Sequence, residues 1–476
     1  MRGAAAHTPL SDSAGHIRSA NRQLSFRWST LVVLLSWTAV SAVLLVTTVP
    51  PHMPRIGLLA GGEDLDVYRD GARHVMADLP LYTEPFIHGL RYTYTPFSTL
   101  MFLPFGLLPG GSDHYIWMAA NLVVLVAIIA LSWQMLGYRI TPYLACISAL
   151  LAIVCMFLEP VRTTLFYGQI NLVLMLLVLW DTSRGERSRL KGIGVGIAAG
   201  IKLTPAYFVL YYLVLRQWRA AAVAVTAITA TVGVSWMVLP DDSRQYWAET
   251  FVNSTRIGDD WLPANQSLRG AIARLTGATA PTWVWLLAAI SVVVASMWIA
   301  ARLYRGGERL LAATVTGLSA AVVSPFSWTH HWVWFVPLIV YLVHRAGTNS
   351  WWWLCSATLF VAIGSWAYRF PFDTEPRVGL YLFPPTWITW HALVNLYILV
   401  YAATMIGAAV IAIRTTRDRR RLPRDIPRNW VSRWLARRTT PPPSRVPSAP
   451  RILWKLFGQC TFNSYRTKIY GSVTHQ

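Results

Sequence analysis

The chain is poor in charge. Only 13% of its 476 residues are Asp, Glu, Lys or Arg, about half of what a soluble domain carries. That deficit excludes an ordinary water-soluble enzyme. Acidic residues are scarcer still, 21 against 42 basic ones. Cysteine is nearly absent. Cys146, Cys155, Cys355 and Cys460 show no metal-ligand spacing and no pairing pattern, which excludes a disulfide framework and a zinc site. No Walker-type or dinucleotide motif occurs, so no nucleotide cofactor is expected. No internal repeat is visible, which counts against a transporter built from inverted repeats.

What is present is apolar. Hydrophobic residues make up 54% of the chain, gathered in blocks such as 31–49 and 282–300 that carry no charge. At 1.5 Å per residue each is long enough to cross a hydrocarbon layer of about 30 Å. The expected fold class is therefore an all-α polytopic membrane protein. About ten full crossings are read by window length, near 28–49, 115–136, 141–158, 166–181, 219–239, 282–302, 309–325, 331–344, 351–368 and 388–413. The polar start runs too long for a cleaved signal peptide, so the first block reads as a retained signal anchor.

The charge of +21 is a topology signal before it is a nucleic-acid signal, and no nucleic-acid partner is expected. Basic links lie at Arg18 to Arg27, 181–191, 216–219 and 302–309 and in the tail, which places them in the cytoplasm. Segments 50–96 and 240–281 are acid-rich and belong outside. The organisation follows as a cytoplasmic tail (1–27), a transmembrane catalytic domain (28–414) and a basic, Pro-rich cytoplasmic tail (415–476) resting on membrane lipid.

Two segments do not read as single spans. Residues 95–109 are short and Pro-rich, and 191–216 is interrupted by Lys202-Leu203-Thr204-Pro205. A proline disfavours helix in the residue before it. Irregular backbone at membrane depth survives only against protein or a water-filled cavity, so this motif is expected to line one.

The polar residues fall into a few groups. Asp64, Asp66 and Asp70 follow the first span. Asp66 and Asp70 share a helix face, and Asp64 is placed just before the helix start, where capping is the ordinary alternative. Tyr68 and Tyr94 suit either an aromatic belt or sugar stacking. Gln169 and Asn171 follow Gly168 and suit hydroxyl recognition or interhelical bonding. Lys202 is a cation at membrane depth, a functional position by default. Asn265, Gln266 and Arg269 sit in the second outer loop, and His330 and His331 stand among Trp328, Trp332 and Trp334. Adjacent helical positions diverge by about 100°, so one histidine of the pair is expected to face a site.

In this order, DLDVY (64–68), YTPF (94–97), GQIN (168–171), KLTP (202–205), NQSLRG (265–270) and SPFSWTHHWVW (324–334) make the chain resemble the actinobacterial membrane mannosyltransferases of the GT-C architecture. The resemblance covers roughly 60–335. It implies a polyprenyl-phosphate mannose donor and a glycolipid acceptor, a phosphatidylinositol mannoside or lipomannan. It also implies an α-(1→2) product, an essential aspartate at Asp64 with Asp66 as rival, and a functional histidine at His330 or His331. Lys202, with a histidine or Arg269, would balance the leaving phosphate. Gln169, Asn171, Asn265, Gln266, Tyr68, Tyr94 and Trp328 would bind substrate. No metal is expected. A carrier that flips a lipid-linked sugar is the alternative.

Overall fold

A computed structural model describes residues 23–24, 26–108, 111–251, 258–371, 373–386 and 390–421. The chain divides into two units, Met1–Arg419 and Arg420–Gln476. The Pro-rich tail, Cys460 and the N-terminal arginines Arg18 and Arg22 lie outside the described residues.

Continuous apolar sequence produces helix almost throughout. The first span is α1 (Trp28–Thr47), and the outer segment after it carries α2 (Glu63–Met76) packed on α3 (Pro96–Gly106). Next come α4 (Asp113–Met135) and α5 (Pro142–Met156), then α6 (Glu159–Tyr167) and α7 (Asn171–Ser183). Helix α8 (Ile193–Ile201) is separated from α9 (Tyr207–Val214) by a 3-10 turn at Thr204–Ala206. Helices α10 (Trp218–Val238) and α11 (Pro240–Gln245) run into a π turn at Tyr246–Thr250. Then follow α12 (Leu268–Thr276), α13 (Thr282–Gly306), α14 (Arg309–Val323), a 3-10 turn at Thr329–Trp332, α15 (Phe335–Ala346) and α16 (Trp351–Ala362). Strands β1 (Ala367–Tyr368) and β2 (Arg377–Val378) pair antiparallel with Ala367 opposite Val378. Helices α17 (Trp390–Leu393) and α18 (Leu396–Arg421) follow.

Five of these helices are long and apolar enough to cross a membrane, six if the bent pair α6–α7 counts as one span. The protein is an integral membrane protein. Shorter apolar helices stand at several other expected crossings, α5, α14 and α16 among them. Leu35, Val40 and Val43 of α1 and Ile290 and Val294 of α13 are exposed, as lipid-facing residues should be. The core lies around α14 and α15, whose residues 310–322 and 335–343 are all buried.

Four of the sequence-based spans are altered. That at 351–368 ends at Ala362 ahead of strand β1, and that at 388–413 starts at Leu396 after the short α17. The stretch at 166–181 is not one straight helix, because α6 and α7 meet at 118°. Gly168 makes the corner at φ 72°, a conformation open to glycine. A Cβ there would also come within 2.7 Å of Leu65 Cβ. The stretch at 331–344 starts later, at Phe335, because the preceding residues form the 3-10 turn and Thr329 is bonded to Glu159.

Candidate active site

Helix α2 begins at Glu63 after Gly62 (φ 123°), so Asp64 is the second residue of the helix and not its cap. Glu63, Asp64 and Asp66 all fall in the first turn, where the helix dipole favours negative charge. Their side chains diverge. Asp66 turns to Arg69 at 2.8 Å, and the same guanidinium meets Asp113 at 2.6 Å and Asp70 at 3.5 Å. The acidic cluster is thus centred on Arg69, with Arg73 also meeting Asp70 at 3.4 Å. Asp64 turns inward, where Oδ2 accepts from Gln169 Nε2 at 2.5 Å. Burial pushes the Asp64 carboxyl up to about 6; the Gln169 bond and the charge of Lys202 pull it down, and Glu63 pushes it up. Burial also raises Asp66, against the pull of Arg69.

The Gly168 corner delivers the two amides. Gln169 is 4% exposed and Asn171 7%. Gln169 Oε1 lies 3.0 Å from the Tyr68 hydroxyl, 2.8 Å from the Tyr94 hydroxyl and 3.4 Å from Asn171 Nδ2, and the two tyrosines are 2.7 Å apart. Tyr68 comes from α2 one turn after Asp64, and Tyr94 from the bend just before α3.

Lys202 sits where α8 stops, with extended backbone (φ −146°, ψ 126°). The carbonyls left open at that helix end, Gly200 O and Ile201 O, accept from Thr95 Oγ1. Lys202 Nζ donates to Asn171 Oδ1 at 3.0 Å and to Tyr94 Oη at 3.4 Å, and lies 2.8 Å from His331 Nε2. An ammonium has three hydrogens and no lone pair, so each hydrogen has an acceptor and His331 presents an unprotonated Nε2. Asp64, Gln169, Asn171, Tyr94, Lys202 and His331 form one continuous network.

All of these except Asn171, which lies behind them, line a cavity of about 830 Å³. Asp64, Tyr68, Tyr94, Gln169, Lys202, Trp328, His330 and His331 border it. Both histidines reach it, where one was expected. They do so from a short 3-10 turn wedged against α6 and α14. His330 is 5% exposed and its Nε2 has no hydrogen-bond partner among the described residues. Its backbone carbonyl accepts from Asn171 Nδ2 at 3.0 Å.

Three expected residues are elsewhere. Asn265 and Gln266 are fully buried and hold backbone: Asn265 Oδ1 accepts from Ser267 N and Ser327 N, and Gln266 Nε2 donates to Pro263 O and Val394 O. Arg269 pairs with Asp260 at 2.9 Å. None of the three borders the cavity. One buried carboxylate beside the cavity was missed. Glu159 is held by Thr163, Thr329, Tyr381 and Tyr397. Its only sequence signal was a charge at the end of an apolar run.

Residues 92–325 match the model of glycosyltransferase family 87. A polyprenol-phosphate-mannose-dependent alpha-(1-2)-phosphatidylinositol pentamannoside mannosyltransferase of Mycolicibacterium smegmatis is 36% identical, over 72% of this chain and 83% of its own. Its counterpart in Mycobacterium tuberculosis is 33% identical, over 77% and 86%. A polyprenol-phosphate-mannose-dependent alpha-(1-2)-phosphatidylinositol mannoside mannosyltransferase of M. smegmatis is 35% identical, over 58% and 68%. No solved structure matched. With two relatives above 30% identity aligned over most of their length, this chain belongs to glycosyltransferase family 87.

Proposed function

We propose that this protein transfers mannose from polyprenyl-phosphate mannose to a mannose 2-hydroxyl of a phosphatidylinositol mannoside or of lipomannan. The relatives' names support the donor and the acceptor class. The observation that carries the chemistry is the placing of Asp64 and Lys202 on one cavity, linked through Gln169 and Asn171.

Asp64 is the general base. It takes the proton of the acceptor hydroxyl as that oxygen bonds to the donor's anomeric carbon. The bond from that carbon to the phosphate oxygen breaks, and polyprenyl phosphate leaves with the electron pair. One displacement inverts the anomer, so a β-linked donor yields an α-(1→2) product. A positioned base contributes about 10²–10⁴ in rate. The Lys202 ammonium stabilises the charge growing on the leaving phosphate, with His330 and His331 beside it. The lipid phosphate already activates the sugar, so the scheme uses neither nucleotide nor metal. On this reading the shorter apolar helices complete about ten crossings, the termini are cytoplasmic and the cavity opens outside.

Transfer in isolated membranes tests the proposal. With labelled donor and a phosphatidylinositol mannoside, wild type should form a labelled glycolipid sensitive to α-(1→2) mannosidase. Asp64→Asn should not, and Asp66→Asn should. If the donor lipid crosses the bilayer while wild type transfers nothing, the carrier reading replaces this one.

A further inference from the structure

Glu159 opens α6 and is 2% exposed. Hydroxyls surround its carboxylate. Thr163 Oγ1 lies 2.6 Å, Thr329 Oγ1 2.8 Å and Tyr381 Oη 3.4 Å from Oε1, and Tyr397 Oη lies 2.5 Å from Oε2. Arg162, on the same helix, supplies compensating charge. Four hydroxyls around two oxygens match an ionised carboxylate, which can only accept.

This fixes the direction of each bond. A hydroxyl has one hydrogen. Thr163, Thr329 and Tyr381 turn theirs toward Glu159, yet all three border the cavity. What they can offer a ligand is lone pairs. Glu63 and Tyr167 border the same cavity, and Tyr167 lies within electrostatic reach of both Asp64 and Glu159. The wall is therefore continuous with the base. His330, next to Thr329 and in ring contact with Tyr167 at 6.0 Å, brings a buried Nε2 that lacks a partner among the described residues.

We infer that this wall is the subsite for the neutral sugar ring of the glycosyl acceptor, held through hydroxyls that donate to Thr163 and Thr329. The inference rests on the glycosyl-transfer reading of the same cavity. Charge sorts the two substrates. A phosphate is drawn to Lys202 and repelled by a wall of lone pairs backed by Glu159. A polyhydroxylated ring has hydrogens to give and no charge to repel.

Fluorinated acceptors test it. Mannoside acceptors are prepared with each non-reacting hydroxyl replaced in turn by fluorine, which cannot donate. Wild type should lose about fivefold in acceptor kcat/KM with at least one analogue, the worth of one hydrogen bond. That penalty should vanish in Thr163→Val or in Thr329→Val, with donor KM unchanged. Thr163 is half-buried, which makes it the milder of the two substitutions. If every analogue matches the parent acceptor, or the penalty persists in both variants, the subsite is wrong while transfer stands. If wild type uses no parent acceptor at all, the glycosyl-transfer reading itself falls.

Discussion

Gln169 grips Asp64 with its amide nitrogen while its amide oxygen faces the Tyr68 and Tyr94 hydroxyls. The three contacts on the oxygen fix which way the amide points, so the nitrogen has to face the carboxylate. The proposed base is oriented by a neutral donor that favours its ionised form without pairing off its charge. That leaves a carboxylate able to take a proton near neutral pH.

Asp64→Asn should lower kcat by about 10²–10⁴ and leave a folded protein. Its effect on stability has the opposite sign. Asp64 is raised from 3.8 to about 6 in the folded chain. Its contribution to stability is thus fully present below the unfolded value and is lost as pH rises through about 6. At neutral pH the asparagine variant should be more stable by roughly 1–3 kcal/mol, seen as a higher unfolding temperature in detergent. The gain should disappear near pH 4 or below, roughly where the carboxyl is protonated in both states.

The rate should follow the same ionisation. kcat/KM should fall about tenfold per unit below the Asp64 value of about 6 and level off above it. Gln169→Leu removes a bond that favours the carboxylate, so the acid limb should move to higher pH. A pH–rate profile of the two proteins checks this; an unmoved limb would remove Gln169 from its proposed part.

Lys202→Met should lower kcat by roughly 10²–10³, the scale for loss of one electrostatic partner of a developing charge. Because the Lys202 charge also pulls the Asp64 carboxyl down, the acid limb should rise in this variant too. Lys202→Arg should rescue little, since a planar fork cannot reproduce an ammonium directed at three separate acceptors. Transfer assays with donor titration separate kcat from KM.

Asn265→Ala should act on stability and not on chemistry. It strands the buried amides of Ser267 and Ser327, a cost of about 1–3 kcal/mol for each such group. The unfolding temperature should drop while the KM of the remaining folded protein stays within about twofold, a shift well below the worth of one hydrogen bond.

Much of this architecture was legible in sequence because lipid imposes simple rules. Apolar runs became α1, α4, α10 and α13 close to their expected limits, and α18 eight residues later than expected. Lys202-Leu203-Thr204-Pro205 broke its segment where proline and a buried cation said it should. Lys202, Asp64 and Gln169 could be selected because a charge or an amide at membrane depth demands a partner. The partners themselves were not legible. That Asp66 is committed to Arg69, which also reaches Asp113 at the start of α4, depends on a tertiary contact that no local pattern encodes. Asn265, Gln266 and Arg269 carry the same side-chain chemistry as a substrate site, and only the tertiary fold turns them toward backbone and Asp260. Glu159 was hidden for the converse reason: the hydroxyls that satisfy it come from 163, 329, 381 and 397, more than two hundred positions apart at the extreme.

Lys202 already spends all three hydrogens on Tyr94, Asn171 and His331. Phosphate arriving there is an exchange: an imidazole, an amide or a phenol must give up its share of the ammonium before a phosphate oxygen can take it. On the proposed donor reading, the net gain on loading is a difference between two solvation shells of one cation.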